Sequence, residues 1–145
     1  MLYQPAYLAF MEIFYLVVPN LEYRAGACNI GAVEKSKRKT LGLLAIAFAV
    51  LLAILLYIAK IEPVSRLLIF FPLSAGIISL YQVKENFCVA FGMSGVYNVS
   101  GTEKKVHRVK SPVDRKIDIN KSLRMVVLGS VVSLVITVSF FLLPG

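Results

Sequence analysis

Three long stretches without a charged residue or a histidine divide this chain. They cover residues 41–59, 67–83 and 125–145, lengths of 19, 17 and 21 residues. An α-helix rises ~1.5 Å per residue and a bilayer core is ~30 Å thick, so ~17–25 apolar residues cross it. None of the three stretches carries the polar face that a soluble helix needs. The pattern therefore predicts membrane-spanning helices at about 41–59, 67–83 and 125–143. The link 60–66, with Glu62-Pro63 at its centre, turns the first two into a hairpin.

Helix-start signals sharpen this picture. Gly31 followed by Glu34 reads as a permissive cap with an acidic first turn, so a helix from Ala32 runs into the first span. Ser111, Pro112 and Asp114 read as a second start that feeds the third span. Pro72 is expected to kink the middle span. Small residues recur at helical steps: Ala45, Ala49 and Ala53; Pro72 and Gly76, with Ala75 and Ser79 beside them; Gly129, Ser133 and Thr137. Each set predicts a face on which backbones approach closely.

The two ends of the pattern are less regular. Residues 1–21 are apolar and aromatic, with Glu12 in the middle. They read as an interfacial helix, with a fourth span as the alternative. No basic n-region precedes them, which argues against a signal peptide. The segment 84–124 is too long for a simple linker. Alternating Phe87, Val89 and Phe91 suggest a short hairpin or a re-entrant piece there.

Composition and charge add orientation. Of the 145 residues, 58% are hydrophobic, yet the formal charge is +8. Typical globular chains are roughly 45–50% apolar. Five of the 16 basic residues lie in 22–40, two in 60–66 and nine in 84–124. The excess of positive charge marks the cytoplasmic loops. Both rich segments are expected inside, and the link 60–66 and the C-terminus outside. The cell membrane, as a multi-pass protein, is the expected location. Lys35, Lys37, Arg38, Lys39, Lys104, Lys105, Arg108 and Lys110 are candidates for contact with anionic headgroups or a partner protein. No nucleic-acid-binding module is recognisable.

Candidate chemistry is sparse. The spans hold no ionisable group, which speaks against a self-contained ion-coupled transporter. Gly92 and Gly95 make no phosphate loop, since no Lys-Ser/Thr follows. There is no Ser-His-Asp set and no carboxylate pair. Cys28 precedes a helix start and has Lys and Arg nearby, influences that favour thiolate. Lipid attachment at Cys28 would place the basic run outside, against the charge rule. The hairpin returns Cys28 and Cys88 to one surface, and His107 is a third weak metal candidate. Three ligands at this spacing match no known pattern, so packed cysteines are the simpler expectation. No cofactor is expected.

"CNIG" with Glu34 and Arg38, then a span, then "FCVAFGMSGVYN", then "DRK" before a last span, resembles a group of small uncharacterised prokaryotic membrane proteins with three spans. The likeness covers about residues 24–143. It implies no activity. It does imply that Cys28, Asn29, Gly31, Cys88, Gly92 and Gly95 form one juxtamembrane unit. The expected fold is thus all-α and integral to the membrane, with residues 22–145 forming three spans and a small cytoplasmic cap. The expected function is a non-catalytic accessory or scaffold role through the basic face, with a protein partner or a homo-oligomer. A thiol or metal site at Cys28 and Cys88 is the first alternative, and an oligomeric channel the second.

Overall fold

The computed structural model describes residues 22–99 and 106–143. The expected interfacial helix or fourth span at 1–21 lies outside these residues, as do Lys104 and Lys105. Helix α1 (Ala32–Ile58) starts at Gly31, with Glu34 in its first turn. Lys60 takes a left-handed conformation (φ 50°) where the chain reverses. A 3-10 segment (Pro63–Ile69) then leads directly into α2 (Phe70–Glu85). Asn86 ends α2 by adopting the left-handed region (φ 51°), a role Asn fills almost as readily as Gly. A short helix α3 (Val89–Ser94) follows. Strands β1 (Val96–Tyr97) and β2 (His107–Arg108) then pair antiparallel, Val96 with Arg108 and Tyr97 with His107. The last element is α4 (Pro112–Phe141). Ser111 caps it by accepting from the Asp114 amide at 3.3 Å.

Three helical stretches are long and apolar enough to span a membrane: Ala32–Ile58, Pro63–Glu85 and Pro112–Phe141. Each begins or ends outside its charge-free core, because α1 and α4 carry their polar first turns as helix. Pro72 lies in the first turn of α2. The irregularity sits just upstream, as the 3-10 segment. Val89 and Phe91 belong to helix α3, so their alternation did not mark a strand.

Helix α2 packs against both α1 and α4. The contact with α1 is made at backbone range. A Cβ on Gly76 would come within 2.6 Å of Ile46 Cδ1 and 3.1 Å of the Ile46 amide nitrogen. On α4 the buried stripe is Asp118, Ser122, Met125, Gly129, Ser133 and Thr137. Steps of three and four keep it on one side. Ala49 is the buried member of its set, with Ala45 and Ala53 half-buried beside it. Away from these seams large apolar side chains face outward, among them Leu44, Phe71 and Val135 at 62%, 69% and 61% exposure.

The seam at Gly76 sets a test. Gly76→Val is expected to lower stability in detergent by about 1–3 kcal/mol, since the added atoms press on backbone as well as side chain. Ala75→Val, on the exposed side of the same turn, is expected to change little. Thermal melts followed by circular dichroism compare the two, and equal midpoints would refute the close seam.

Candidate functional site

The polar ends of the helices meet at one end of the bundle and form a cap. Its organising contact joins residues 29 and 88. Asn29 Nδ2 donates to the Cys88 carbonyl at 3.0 Å, and the Cys88 amide donates to Asn29 Oδ1 at 2.6 Å. Both residues have 0% exposure. The Asn29 amide donates to the Asn86 carbonyl at 3.2 Å, so the segment before α1 is laced to the turn after α2. Asn98 extends the lacing. Its amide donates to the Asn29 carbonyl at 2.9 Å and its carbonyl accepts from Gly31 at 2.7 Å. Lys35 Nζ donates to Asn86 Oδ1 at 2.7 Å.

A second contact ties this layer to α4. The turn from Arg24 to Cys28 puts Gly26 in the left-handed region (φ 66°), which glycine enters without strain. The Gly26 amide then donates to Asp118 Oδ1 at 2.7 Å, and the Tyr23 hydroxyl donates to Oδ2 at 2.8 Å. Asp118 has 0% exposure, so its carboxylate is held by two donors. Burial pushes the Tyr23 phenol well above its usual range, and its bond to the Asp118 carboxylate adds to this. Tyr23 stacks on Tyr97 at 4.3 Å, and Tyr97 on His107 at 5.5 Å. Gln82 Oε1 accepts from the Val89 amide at 3.0 Å, and Ser122 Oγ donates to the Asp118 carbonyl at 2.8 Å. Lys121 pairs with Glu85.

The cysteines have separate surroundings. Cys28 Sγ lies 3.7 Å from the Ile30 carbonyl oxygen, at the range of a weak thiol bond. Burial pushes the Cys28 thiol up, outweighing the lowering by the Ile30 peptide, Lys35 and Arg24. The nearby cations do pull toward thiolate, but loss of water is larger. Cys88 Sγ accepts from Arg38 Nη2 at 3.3 Å. Both thiols are free and buried. His107 is exposed on β2 and stacks against Tyr97. Among the described residues no three of His, Cys, Asp and Glu are grouped to hold a metal ion.

The structure thus brings Cys28, Asn29, Gly31, Cys88, Gly92 and Gly95 into one cap, Gly92 against Ser122 and Gly95 against Arg115. Of the basic residues, Lys35 and Arg38 turn toward the cap, and Lys37 pairs with Glu34 at 3.4 Å. Lys39, Arg108 and Lys110 are exposed. Asp118, Tyr23, Gln82 and Asn98 are cap residues that the sequence reading did not single out. A signal for Asp118 existed: the small-residue stripe of α4, continued backward through Met125 and Ser122, lands on it. No family model, curated protein or solved structure matches this chain.

Two outcomes check this geometry. Asn29→Ala leaves the Cys88 amide buried without a partner, at ~1–3 kcal/mol, and removes one of the two donors to its carbonyl, which keeps the Gly92 amide at 2.9 Å. It is expected to destabilise the protein strongly and to expose Cys88 to native-state alkylation, whereas Cys28→Ala does neither. Peptide mapping after iodoacetamide reads this out.

A raised phenol pKa means that the native state holds its proton longer than the unfolded chain. The Tyr23 contribution is therefore complete below pH 10.0, the ordinary tyrosine value, and is lost as pH rises beyond it. Tyr23→Phe is expected to cost about 1 kcal/mol at neutral pH. The gap to wild type should close in alkaline melts, and a constant gap would refute the bond to Asp118.

Proposed function

We propose that this chain is a multi-pass membrane protein whose three apolar stretches cross the bilayer, with the cap on the cytoplasmic side as a rigid, non-catalytic docking platform. The observation that carries this reading is the reversal of ordinary burial. Polar groups such as Asn29, Asn98 and Asp118 are sealed inside the cap, while large apolar side chains face outward along the helices. In water such an outward face would drive association; in lipid it is already satisfied. The unequal loop charge supports a cytoplasmic cap and an external C-terminus. Lys39, Arg108 and Lys110 then stand at the headgroup level as contacts for anionic lipid and for a protein partner or a second copy. This reading places the chain with the small three-span prokaryotic proteins that its motifs resemble.

A second reading, an oxidisable thiol, has one observation in its favour: a guanidinium points at Cys88 Sγ. The 0% exposure of that residue favours a structural pairing instead.

Single cysteines test the platform reading. Glu62→Cys is expected to react with an impermeant maleimide added to intact cells, and Lys110→Cys only after lysis; the opposite labelling would refute the orientation. Reversing charge at Lys39, Arg108 and Lys110 together is expected to abolish co-purification of the partner from native membranes while leaving the thermal midpoint unchanged. Retained co-purification would remove the basic face from the function.

A further inference from the structure

The first turns of α4 extend well beyond its charge-free stretch, which opens at Met125. At ~1.5 Å per residue, Val113 lies about 18 Å and Ile117 about 12 Å before Met125 along the helix. A hydrocarbon core is ~30 Å thick and a bilayer ~40–45 Å with its headgroups, so the headgroup layer adds only ~5–8 Å on each side. Both side chains are nevertheless exposed, Val113 at 68% and Ile117 at 43%. In the spanning reading, lipid covers the outward apolar residues further along α4, but it does not reach these two.

They belong to one face. Val113, Lys116, Ile117, Asn120 and Arg124 recur at helical steps of three and four, and all five are exposed. The acids of this segment turn the other way. Asp118 is sealed beneath the Tyr23 hydroxyl and the Gly26 amide, and Asp114, one turn earlier, is half-buried on the same side. The outward face therefore carries two apolar side chains and two cations, with no carboxylate. Lys110, exposed just before the helix, adds positive charge at its start.

We propose that this face binds an acidic amphipathic helix of a partner protein. Apolar side chains of that helix rest on Val113 and Ile117, and its carboxylates meet Lys110, Lys116 and Arg124. The proposal rests on the platform reading above and gives the partner its chemistry. Apolar anchors at helical spacing suit a second helix laid alongside, and the unbalanced positive charge selects an acidic one. Other occupants leave part of the face unmet. Anionic headgroups lie too low to cover Val113. A second copy docked face to face would set like charges against each other. Nucleic acid would meet the cations and leave the apolar pair bare.

The full chain is held in phosphatidylcholine nanodiscs. The probes are a synthetic helix with leucine on one face and glutamate on the other, and the same peptide with lysine in place of glutamate. The glutamate peptide is expected to bind loaded discs and not empty ones, and the lysine peptide to bind neither. Val113→Ser or Lys116→Glu is expected to weaken binding about tenfold with the thermal midpoint unchanged, since both side chains are exposed. Ile117 also lies against Gly26, so it is left in place. Lys84→Glu makes the same charge change on α2 and should leave binding unaltered. A benzophenone amino acid at position 113, irradiated in native membranes, is expected to label a protein segment of net negative charge. Equal binding of the two peptides, full affinity in Val113→Ser, an equal loss in Lys84→Glu, or label found only on lipid, RNA or a second copy would overturn the proposal. The platform reading fails separately. It falls if charge reversal at Lys39, Arg108 and Lys110 leaves partner co-purification intact. If that reversal abolishes co-purification while Val113→Ser and Lys116→Glu do not affect it, this proposal alone falls.

Discussion

The exchange of two hydrogen bonds between the Asn29 side chain and the Cys88 backbone is the constraint on which the rest of the cap depends. It joins residues 59 positions apart. At 0% exposure, neither the amide of Cys88 nor its carbonyl can turn to water instead. The segment before α1 and the segment after α2 are therefore fixed to each other. Within the hairpin so joined, Gly76 meets the backbone at Ile46. Asn98, bonded to both Asn29 and Gly31, carries the same constraint to the strand pair. Asp118 carries it to α4 through Gly26 and Tyr23.

Such a polar knot is what a membrane-spanning reading requires. Between helices immersed in lipid, burial of one apolar side chain against another gains little, because the lipid is equally apolar. Specific association must come from close backbone approach and from polar groups that have only one set of partners. The seams at Gly76 and Gly129 supply the first. The cap supplies the second, at the polar end of the helices. Ser133 meets its own need by donating to the Gly129 carbonyl at 2.7 Å, so α4 carries a hydroxyl on its buried face without an exposed polar atom.

What was legible in the sequence follows from range. Helix starts at Gly31 and Ser111 depend on residues within four positions and were read correctly, as was the membrane-length apolar pattern. At Cys28 the sequence neighbours are cations, which pull toward thiolate, while the burial that outweighs them is set by segments far along the chain. Pro72 sits where the 3-10 segment gives way to α2. Asn29 and Cys88 were grouped by motif, but the bonds between them could not be foreseen: an Asn that clamps a backbone reads like any Asn in a turn. Arg66 entered the reading only as one positive charge in a count. Nothing in "KIEPVSR" distinguishes a guanidinium in headgroup water from one enclosed by Tyr57 and Phe140.

The two inward-turned arginines show how burial, and not charge alone, decides how a guanidinium is met. Arg38 and Arg66 each have a buried Nε without a partner. Arg38 sits on the rim of the cap, donates to the Cys88 sulfur and keeps part of its surface in contact with solvent. Water can neutralise the remainder of its charge, and the site is complete as it stands. Arg66 has almost no such surface, and its partners are two rings and one carbonyl. The same side chain therefore keeps a solvent contact at one end of this bundle and is enclosed at the other.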